Sequence, residues 1–397
     1  NMRVYTGSED QLPDPKMEAV EGAGRVPAYR GVAYVVIEDL ELGDFGNRVP
    51  QLSFEVIRPV NAEVDTPSAR SLSRVVKAVA LVPGTGEYAL ATTPVHYAFG
   101  MGQNQSANVN TPSGKTDFAV SLETLGEELP NCGSVSLVVS WFGDDLRCGA
   151  CRIRPKVEQS DHEGKPMAWR VNGVTRGAAA VIPRTADDRP IYGGTPADAS
   201  VVEAIQAIRA AGREVVFYPF ILMDQLEGNG LPDPWTGAAE QPSLPWRGRI
   251  TQSIAAGRAG SPDGTAAANA EVAAFFGTAE PSDFGLQGTT VSYSGPAEWS
   301  FRRFILHYAH LCAAAGGVDA FCLGSEMRGL TQIRGAGGFP AVAHMKALAA
   351  DLRMILGPSC RIGYAADWSE YFGFHPQDGS GDVYFHLDPL WADENID

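Results

Sequence analysis

Acidic side chains follow several apolar, strand-like runs in this sequence, and their type and spacing could support chemistry. The clearest case is Asp319-Ala-Phe-Cys-Leu-Gly-Ser-Glu326-Met, in which Gly324 and Ser325 break a buried run and Glu326 stands just beyond it. The other such acids are Glu87, Asp144, Asp145, Asp224 and Asp367, with Glu370 close behind. Parallel strands would bring these carboxyl groups to one end of a sheet, where they could donate and accept protons. Because turns favour Asp, any single acid could instead be a loop residue in water, and the repetition is what favours function.

The elements that would position these acids alternate between strand and helix. Strand-like runs occur at residues 75–82, 135–142, 215–223, 319–325 and 361–366. Helical apolar spacing occurs at residues 198–211, 266–276, 299–315 and 341–355. At the first of these helices, Thr195-Pro-Ala-Asp198 predicts a capping box. The alternation predicts an α/β fold, a partial TIM βα-barrel with its active face at the C-terminal ends of the strands.

Composition limits the classes of function. The chain has 397 residues, of which 44% are hydrophobic, and a net charge of −16 with a pI of about 4.9. The acidic excess argues against nucleic-acid binding, which needs clustered Lys and Arg. No apolar stretch approaches the roughly 20 residues of a membrane span, and no cofactor is expected. Because Asn1 precedes Met2, we expect the chain to begin inside a longer polypeptide.

The six cysteines are expected to be reduced thiols. Cys148-Gly-Ala-Cys151 has the spacing of redox and metal sites, but no second pair stands nearby to complete four ligands. We therefore expect no metal site, and the sequence leaves open whether Cys148 and Cys151 bind anything.

The first 65 residues differ in texture from the rest. Strand-like runs at residues 32–37 and 52–57 are separated by Pro and Gly, and no helix is expected there. Residues 61–73 are polar and contain Pro, as a linker does. We therefore divide the chain into a β-rich segment, 1–65, and a barrel segment, 66–397, and expect the strand at 32–37 to stay out of the barrel sheet.

Two long segments, residues 146–194 and 226–295, interrupt the alternation. Residues 169–182 within the first could form a hairpin. Long loops after barrel strands commonly build the active face. The second segment carries Trp235 and Trp246, which could stack on sugar rings or could simply anchor the loop.

Several longer motifs resemble known families. Gly324-Ser-Glu326-Met, the helix at 299–315 and Ile362-Gly-Tyr-Ala-Ala-Asp-Trp368 resemble strands four and five of retaining glycoside hydrolases with mannanase-like barrels. Trp141-Phe-Gly-Asp-Asp145, Tyr218-Pro-Phe-Ile-Leu-Met-Asp224 and Pro245-Trp-Arg-Gly-Arg-Ile250 resemble the barrel domain of phage-tail and gene-transfer-agent baseplate proteins. Pro27-Ala-Tyr-Arg-Gly-Val-Ala-Tyr34 and Phe45-Gly-Asn-Arg-Val-Pro-Gln-Leu-Ser-Phe-Glu55 resemble the tail-hub region of the same large proteins.

The resemblance implies roles for the candidate residues. Glu326 would be the general acid/base, in a dry pocket among other acids. The substrate-binding residues would be Trp141, Asp144, Asp145, Asp224, Tyr364, Asp367, Trp368 and Glu370. About five of the eight strands of a barrel are expected in this chain, and the family's nucleophile, a Glu on strand seven, is expected beyond Asp397. Ser325 stands where the hydrolases have Asn or Thr.

Two functions remain open. In the first, the complete protein cleaves a host cell-surface or cell-wall polysaccharide. In the second, the barrel is a structural or glycan-binding part without catalysis, since a fold does not fix a function. In both, the resemblance implies a tail-tip component in a symmetric homo-oligomer with other tail proteins. Such a protein would be assembled in the bacterial cytoplasm and would act at the host cell surface.

Overall fold

A computed structural model of the protein describes residues 2–43, 46, 49–50, 52, 72–100 and 102–397. The chain divides into two compact units, residues 1–59 and 60–397. Most of the linker expected at 61–73, and nearly all of the strand expected at 52–57, lie outside the described residues.

The first unit, where it is described, contains a helix and a two-stranded sheet. Strands Met2–Tyr5 and Tyr34–Ile37 pair antiparallel with each other, so the strand expected at 32–37 forms in a sheet of its own. Helix Pro15–Glu21 corrects the expectation of a segment without helices. Asp14 caps this helix by accepting hydrogen bonds from the N–H groups of Lys16 and Met17. Pro15 opens the helix at a position where its missing N–H leaves no bond unmade.

The second unit is built on a parallel sheet whose strands lie in chain order. The strands are β1 (Ala78–Leu81), β2 (Ser134–Gly143), β3 (Glu214–Met223), β4 (Ala320–Ser325) and β5 (Arg361–Ala365). The connecting helices are α1 (Asp117–Glu128), α2 (Asp198–Ala210), α3 (Phe301–Ala314) and α4 (Pro340–Leu356). Each strand pairs with the next, and across residues 72–100 and 102–397 the path ends at β1 and β5 without closing. The fold is mixed α/β with an open parallel sheet.

Shorter helices, 3-10 turns and strands are present besides the five parallel strands and their connecting helices. Short helices span Leu72–Val75, Ala266–Phe276, Arg328–Thr331 and Asp388–Trp391. Short 3-10 turns span Arg176–Ala178, Arg247–Arg249, Pro281–Asp283 and Trp368–Glu370. Short strands span His96–Gly100, Gln103–Ser106, Ile153–Arg154, Lys156–Val157, Gly164–Lys165, Arg170–Val171, Val174–Thr175, Ala180–Val181, Phe284–Gln287 and Thr290–Tyr293. Arg170–Val171 and Val174–Thr175 form a hairpin inside the range 169–182, as expected.

The core lies between the sheet and its helices. In β2 and β3 every second side chain is fully buried, whereas most of the intervening ones are only partly buried. The buried face meets α3, where Trp141 of β2 packs against Phe304 and Tyr308. Because successive side chains of a strand point to opposite faces, Tyr218 and Phe220 of β3 lie on the other face of the sheet.

Helix α2 starts without the expected capping box. Its N-cap is Ala197, and no side chain caps it. Thr195 instead donates its hydroxyl to the carbonyl of Ser140 at 3.0 Å. Asp198 accepts the N–H of Asn172 at 3.1 Å and lies 2.9 Å from His307 Nε2 on α3. The capping prediction is therefore wrong, because both side chains of the motif make contacts outside the helix.

Candidate functional site

Because the strands are parallel, the predicted acids lie at the C-terminal ends of the strands, where two long segments also meet. We call residues 146–197 the first insert and residues 225–300 the second insert. Five of the acids form an ion pair with a cation from an insert. The pairs are Glu87 with Arg176 at 2.6 Å, Asp144 with Arg154 at 3.0 Å, Asp145 with Arg147 at 2.6 Å, Asp224 with Lys156, and Glu326 with Arg247 at 2.7 Å. These carboxylates therefore fasten the inserts to the end of the sheet, a role that the sequence did not reveal.

Glu326 directly follows β4, and its backbone adopts a left-handed conformation with φ of +50°. Its N–H donates to the carbonyl of Ala365 in β5 at 2.8 Å. The register of β4 against β5 shifts between Cys322 and Ser325, and irregularities of this kind often redirect a side chain. A non-glycine residue in this conformation costs about 1–3 kcal/mol and persists only where its surroundings impose it. The ends of β4 and β5 therefore set the position of Glu326.

The side chain of Glu326 contacts two successive residues of the second insert. Its Oε2 accepts hydrogen bonds from Trp246 Nε1 at 3.2 Å and Arg247 Nη2 at 2.7 Å. Arg247 itself is buried: its guanidinium lies 3.8 Å from the ring centroid of Phe220, and its Nε donates to the carbonyl of Ser325 at 2.9 Å. Burial lowers the pKa of Arg247, against the opposite effect of the Glu326 charge. The dry pocket of acids expected around Glu326 is wrong, because this side chain is 39% exposed and its charged partner is a cation.

Two residues of the motif Pro245-Trp-Arg-Gly-Arg-Ile250 contact Glu326. In the sequence this motif was notable only for its resemblance to baseplate proteins. Its central residues form the 3-10 turn Arg247–Arg249. Gly248 lies against the indole of Trp246, and a Cβ there would stand 2.4 Å from a ring carbon. Glycine at this position therefore lets Trp246 keep its place beside Glu326. Arg247 is the main functional residue that sequence reasoning missed, and the signal for it was this run of Trp, Arg and Gly.

An open groove of about 660 Å³ lies beside this turn. Five aromatic side chains line it: Trp235, Trp246, Trp368, Phe372 and Phe374. Trp235 donates its indole N–H to the carbonyl of Arg249 at 2.7 Å and is still 38% exposed, so it both anchors the insert and offers a ring. Flat exposed rings bind the apolar faces of sugars, and the Trp246–Glu326 hydrogen bond places a carboxylate next to them.

Two residues expected to bind substrate are buried instead. Trp141 is fully buried on the helix face of β2 and donates its indole N–H to Tyr308 Oη at 3.1 Å. The alternation of side chains along the strand turns Trp141 away from the opposite face. Tyr364 is also buried, and its hydroxyl accepts the N–H of Met327 at 2.8 Å. Neither ring can lie against a substrate, so both assignments are corrected.

Three of the expected substrate-binding acids are engaged in structural contacts. Asp145 is buried, with Arg147 on one side and the amide of Gln241 at 2.7 Å on the other. Asp224 is buried with Lys156, and burial raises the pKa of this carboxyl although the lysine opposes the shift. Asp144 pairs with Arg154 and remains partly exposed. None of the three lines the groove in the described part of the chain.

The remaining predicted residues belong to a turn beside the groove, and of these Trp368 lines it. Asp367 and Glu370 form a reciprocal capping box around the turn Trp368–Glu370. Glu370 is buried and accepts from Thr331 Oγ1 at 2.6 Å and Tyr364 Oη at 3.1 Å. Burial raises the pKa of Glu370. Trp368, at 73% exposed, is the expected substrate-binding residue that lines the groove, and the two acids support it rather than touch a ligand.

The cysteine motif is not accessible. Cys148 and Cys151 are both buried free thiols, and burial raises the pKa of each well above its usual value. Among the residues that the structure describes, no cluster of three or more His, Cys, Asp or Glu side chains could hold a metal ion. The same residues include no helix with the length and apolar character to cross a membrane.

The chain was compared with protein families and solved structures, and part of it is similar to known proteins. Residues 299–397, about a quarter of the chain, match a family model described as "GTA TIM-barrel-like domain". Two solved structures also align: "Complex structure of GH113 beta-1,4-mannanase" (TM-score 0.32, 14% identity, 64% of this chain and 50% of that one) and "Structure of GH113 beta-1,4-mannanase" (0.29, 13%, 62% and 48%). The chain spans about half the length of these structures. No curated protein matches the chain.

Proposed function

We propose that this chain is the glycan-binding, barrel-like part of a baseplate protein from a phage tail or gene-transfer-agent particle. The observation that carries the glycan-binding role is the aromatic groove beside Glu326. Trp235, Trp246 and Trp368 offer exposed rings there, and a carboxylate lies within hydrogen-bonding distance of one of them. Sugar recognition commonly combines flat apolar rings with a few polar groups of this kind.

The tail role is supported by sequence resemblance. Residues 299–397 match the family model described as "GTA TIM-barrel-like domain", and we take GTA to stand for gene transfer agent. The baseplate-like motifs extend the resemblance toward the N-terminus. Within such a particle, the protein would contact other tail proteins in a symmetric homo-oligomer. It would be assembled in the bacterial cytoplasm and would meet a polysaccharide of the host surface.

Hydrolysis is the second candidate function, and the position of Glu326 favours it. Glu326 stands at the end of the fourth parallel strand, and its Oε1 accepts no hydrogen bond from the described residues. Retaining hydrolysis needs a second carboxyl group about 5–5.5 Å away as nucleophile. A complete protein that supplies this group would use Glu326 as general acid/base, whereas one without it would bind the glycan and not cleave it.

The proposal is tested on the full-length protein with polysaccharides purified from the capsule and cell wall of the host. We expect one of them to be retained on immobilised protein and to compete with short oligosaccharides of the same composition. Release of reducing ends from that polysaccharide would favour hydrolysis, and retention without release would favour binding alone. If none of these polysaccharides binds, the groove has another purpose and the barrel is structural.

A further inference from the structure

The aromatic groove has an unusual charge for this molecule. The chain carries a net charge of −16, with 47 acidic and 31 basic residues. The side chains that line the groove include Arg249 and Arg328, whereas no Asp or Glu is among its described lining residues. Glu326 is close by, but the guanidinium of Arg247 balances its charge. The groove is therefore locally cationic on an acidic protein.

Of the two arginines, Arg328 has no carboxylate partner among the described residues, and Arg249 has only a long ion pair with Asp233. Arg328 is exposed, and its side chain makes no hydrogen bond or ion pair with the described residues. The carboxylate of Asp233 lies 3.7 Å from Arg249, too long for a hydrogen bond. By contrast, the cations of the inserts that hold the acids at the strand ends lie much closer, such as Arg147 and Arg176 at 2.6 Å. Arg249 and Arg328 are thus available to an anion from outside.

We propose that the groove binds an acidic polysaccharide, one whose sugar units carry carboxylates. In this arrangement the rings of Trp235, Trp246 and Trp368 lie against sugar faces. Arg249 and Arg328 receive the carboxylates, because a planar guanidinium can hold both oxygens of a carboxylate at once. The inference rests on the proposed glycan-binding function and adds the chemical class of the glycan.

The overall negative charge does not prevent this binding. At physiological ionic strength, exposed charges are screened over about 8 Å, so an anion in the groove interacts chiefly with the charges that line it. Away from the groove the acidic surface repels the same polymer. The combination would restrict an acidic glycan to this one face of the protein.

The test uses pairs of hexasaccharides that differ only in oxidation at C6. β-1,4-Linked hexamannuronate is compared with mannohexaose, and the β-1,4-glucuronate hexamer with cellohexaose. Binding to the full chain is measured by titration calorimetry at about 0.15 M NaCl, where surface charges are screened as in the cell. We expect at least one acidic member to bind more tightly than its neutral partner by about tenfold or more, as charge-assisted hydrogen bonds allow.

Variants separate the two kinds of contact. Arg249→Gln and Arg328→Gln should each weaken binding of the acidic hexamer severalfold and should weaken binding of the neutral hexamer much less, because the neutral hexamer has no carboxylates for them to hold. Arg361→Gln is the matched control, because Arg361 is an exposed arginine at the opposite, N-terminal end of β5. Circular dichroism and the thermal midpoint of each variant show whether the fold is kept.

Each outcome decides the proposal. Equal binding of acidic and neutral members, with loss in Trp368→Ala, would overturn the acidic class and leave glycan binding standing. Binding that is indifferent to both arginines would also overturn it. If no hexamer binds, the acidic class is rejected. If the host polysaccharides also fail to bind, the proposed function falls with it.

Discussion

Arg247 and Glu326 form an ion pair, 2.7 Å from Nη2 to Oε2, whose two members differ in exposure. The arginine side chain is 6% exposed, and the carboxylate is 39% exposed. Arg247 is further fixed by Ser325 and by the ring of Phe220, so it is the immobile partner. The pair therefore holds the second insert to the end of β4 and, at the same time, sets where the carboxylate of Glu326 can lie.

Replacement of Arg247 should destabilise the fold. Arg247→Met keeps the apolar stem but leaves the carbonyl of Ser325 without its donor, and an unsatisfied buried group costs about 1–3 kcal/mol. Urea unfolding followed by fluorescence measures the loss. Arg249→Met is the control, because Arg249 is only partly buried and its ion pair with Asp233 is long, at 3.7 Å, so we expect a smaller loss of stability than for Arg247→Met. Equal stability of both variants would show that Arg247 does not anchor the insert.

If the complete protein hydrolyses glycans, Glu326→Gln should lower kcat by about 10²–10⁴-fold, the usual contribution of a general acid. Glutamine can still accept hydrogen bonds from Trp246 and Arg247, so the fold should stay intact. Substrates with a good leaving group need less protonation and should lose less. Asp367→Asn should cost less than Glu326→Gln, since Asp367 caps a turn. Unchanged turnover of Glu326→Gln in an active protein would refute the assigned role.

Removal of the most exposed groove ring should weaken glycan binding without unfolding the protein. Trp368 is 73% exposed, so Trp368→Ala should change the free energy of unfolding by less than about 0.5 kcal/mol. Its loss should raise the Kd for the bound glycan about tenfold, as for an aromatic anchor of an interface. Phe385→Ala is the control, because Phe385 is 60% exposed and does not line the groove. A Kd that moves equally in both variants would contradict a specific role for Trp368.

Glu370 should give the protein a pH dependence of known sign. Burial raises the pKa of its carboxyl above the ordinary value of 4.5, so the folded state holds this proton more tightly than the unfolded state. Its contribution to stability is complete below pH 4.5 and is lost as the pH rises through the folded-state pKa. The difference in unfolding free energy between wild type and Glu370→Gln should therefore fall as the pH rises from 4.5. A difference that stays constant from pH 4 to pH 8 would contradict this.

Buried apolar runs predicted the strands of the sheet closely. The run expected at residues 135–142 is the strand Ser134–Gly143, and that expected at 215–223 is Glu214–Met223. Helix α1 was not predicted, because Phe118 and Leu125 are its only buried residues and give too little apolar spacing. The helix at 15–21 was missed although Asp14-Pro15 is a recognisable helix start.

The candidate site was predicted less well, for two physical reasons. The strand-then-acid pattern correctly indicated the C-terminal ends of the strands. It could not predict ion pairs such as Glu87 with Arg176, because these join residues far apart in sequence. The burial of Trp141 follows from strand alternation, and counting by twos from Val135 would have placed it on the helix side. The exposed groove depends on how the inserts fold back, which the apolar pattern does not encode.

The contacts that hold the two inserts together affect the expected kinetics of ligand binding. Leu146 and Thr251 of the two inserts are joined by a backbone hydrogen bond of 2.8 Å, and Gln241 links Asp145 to the same region. The amide protons of Cys148 and Thr251, which hydrogen-bond from one insert to the other, should therefore exchange slowly. A groove formed in advance leaves little ordering entropy to be lost on association. We therefore expect stopped-flow traces with a single phase, whose rate rises linearly with glycan concentration and shows no plateau from a closing step.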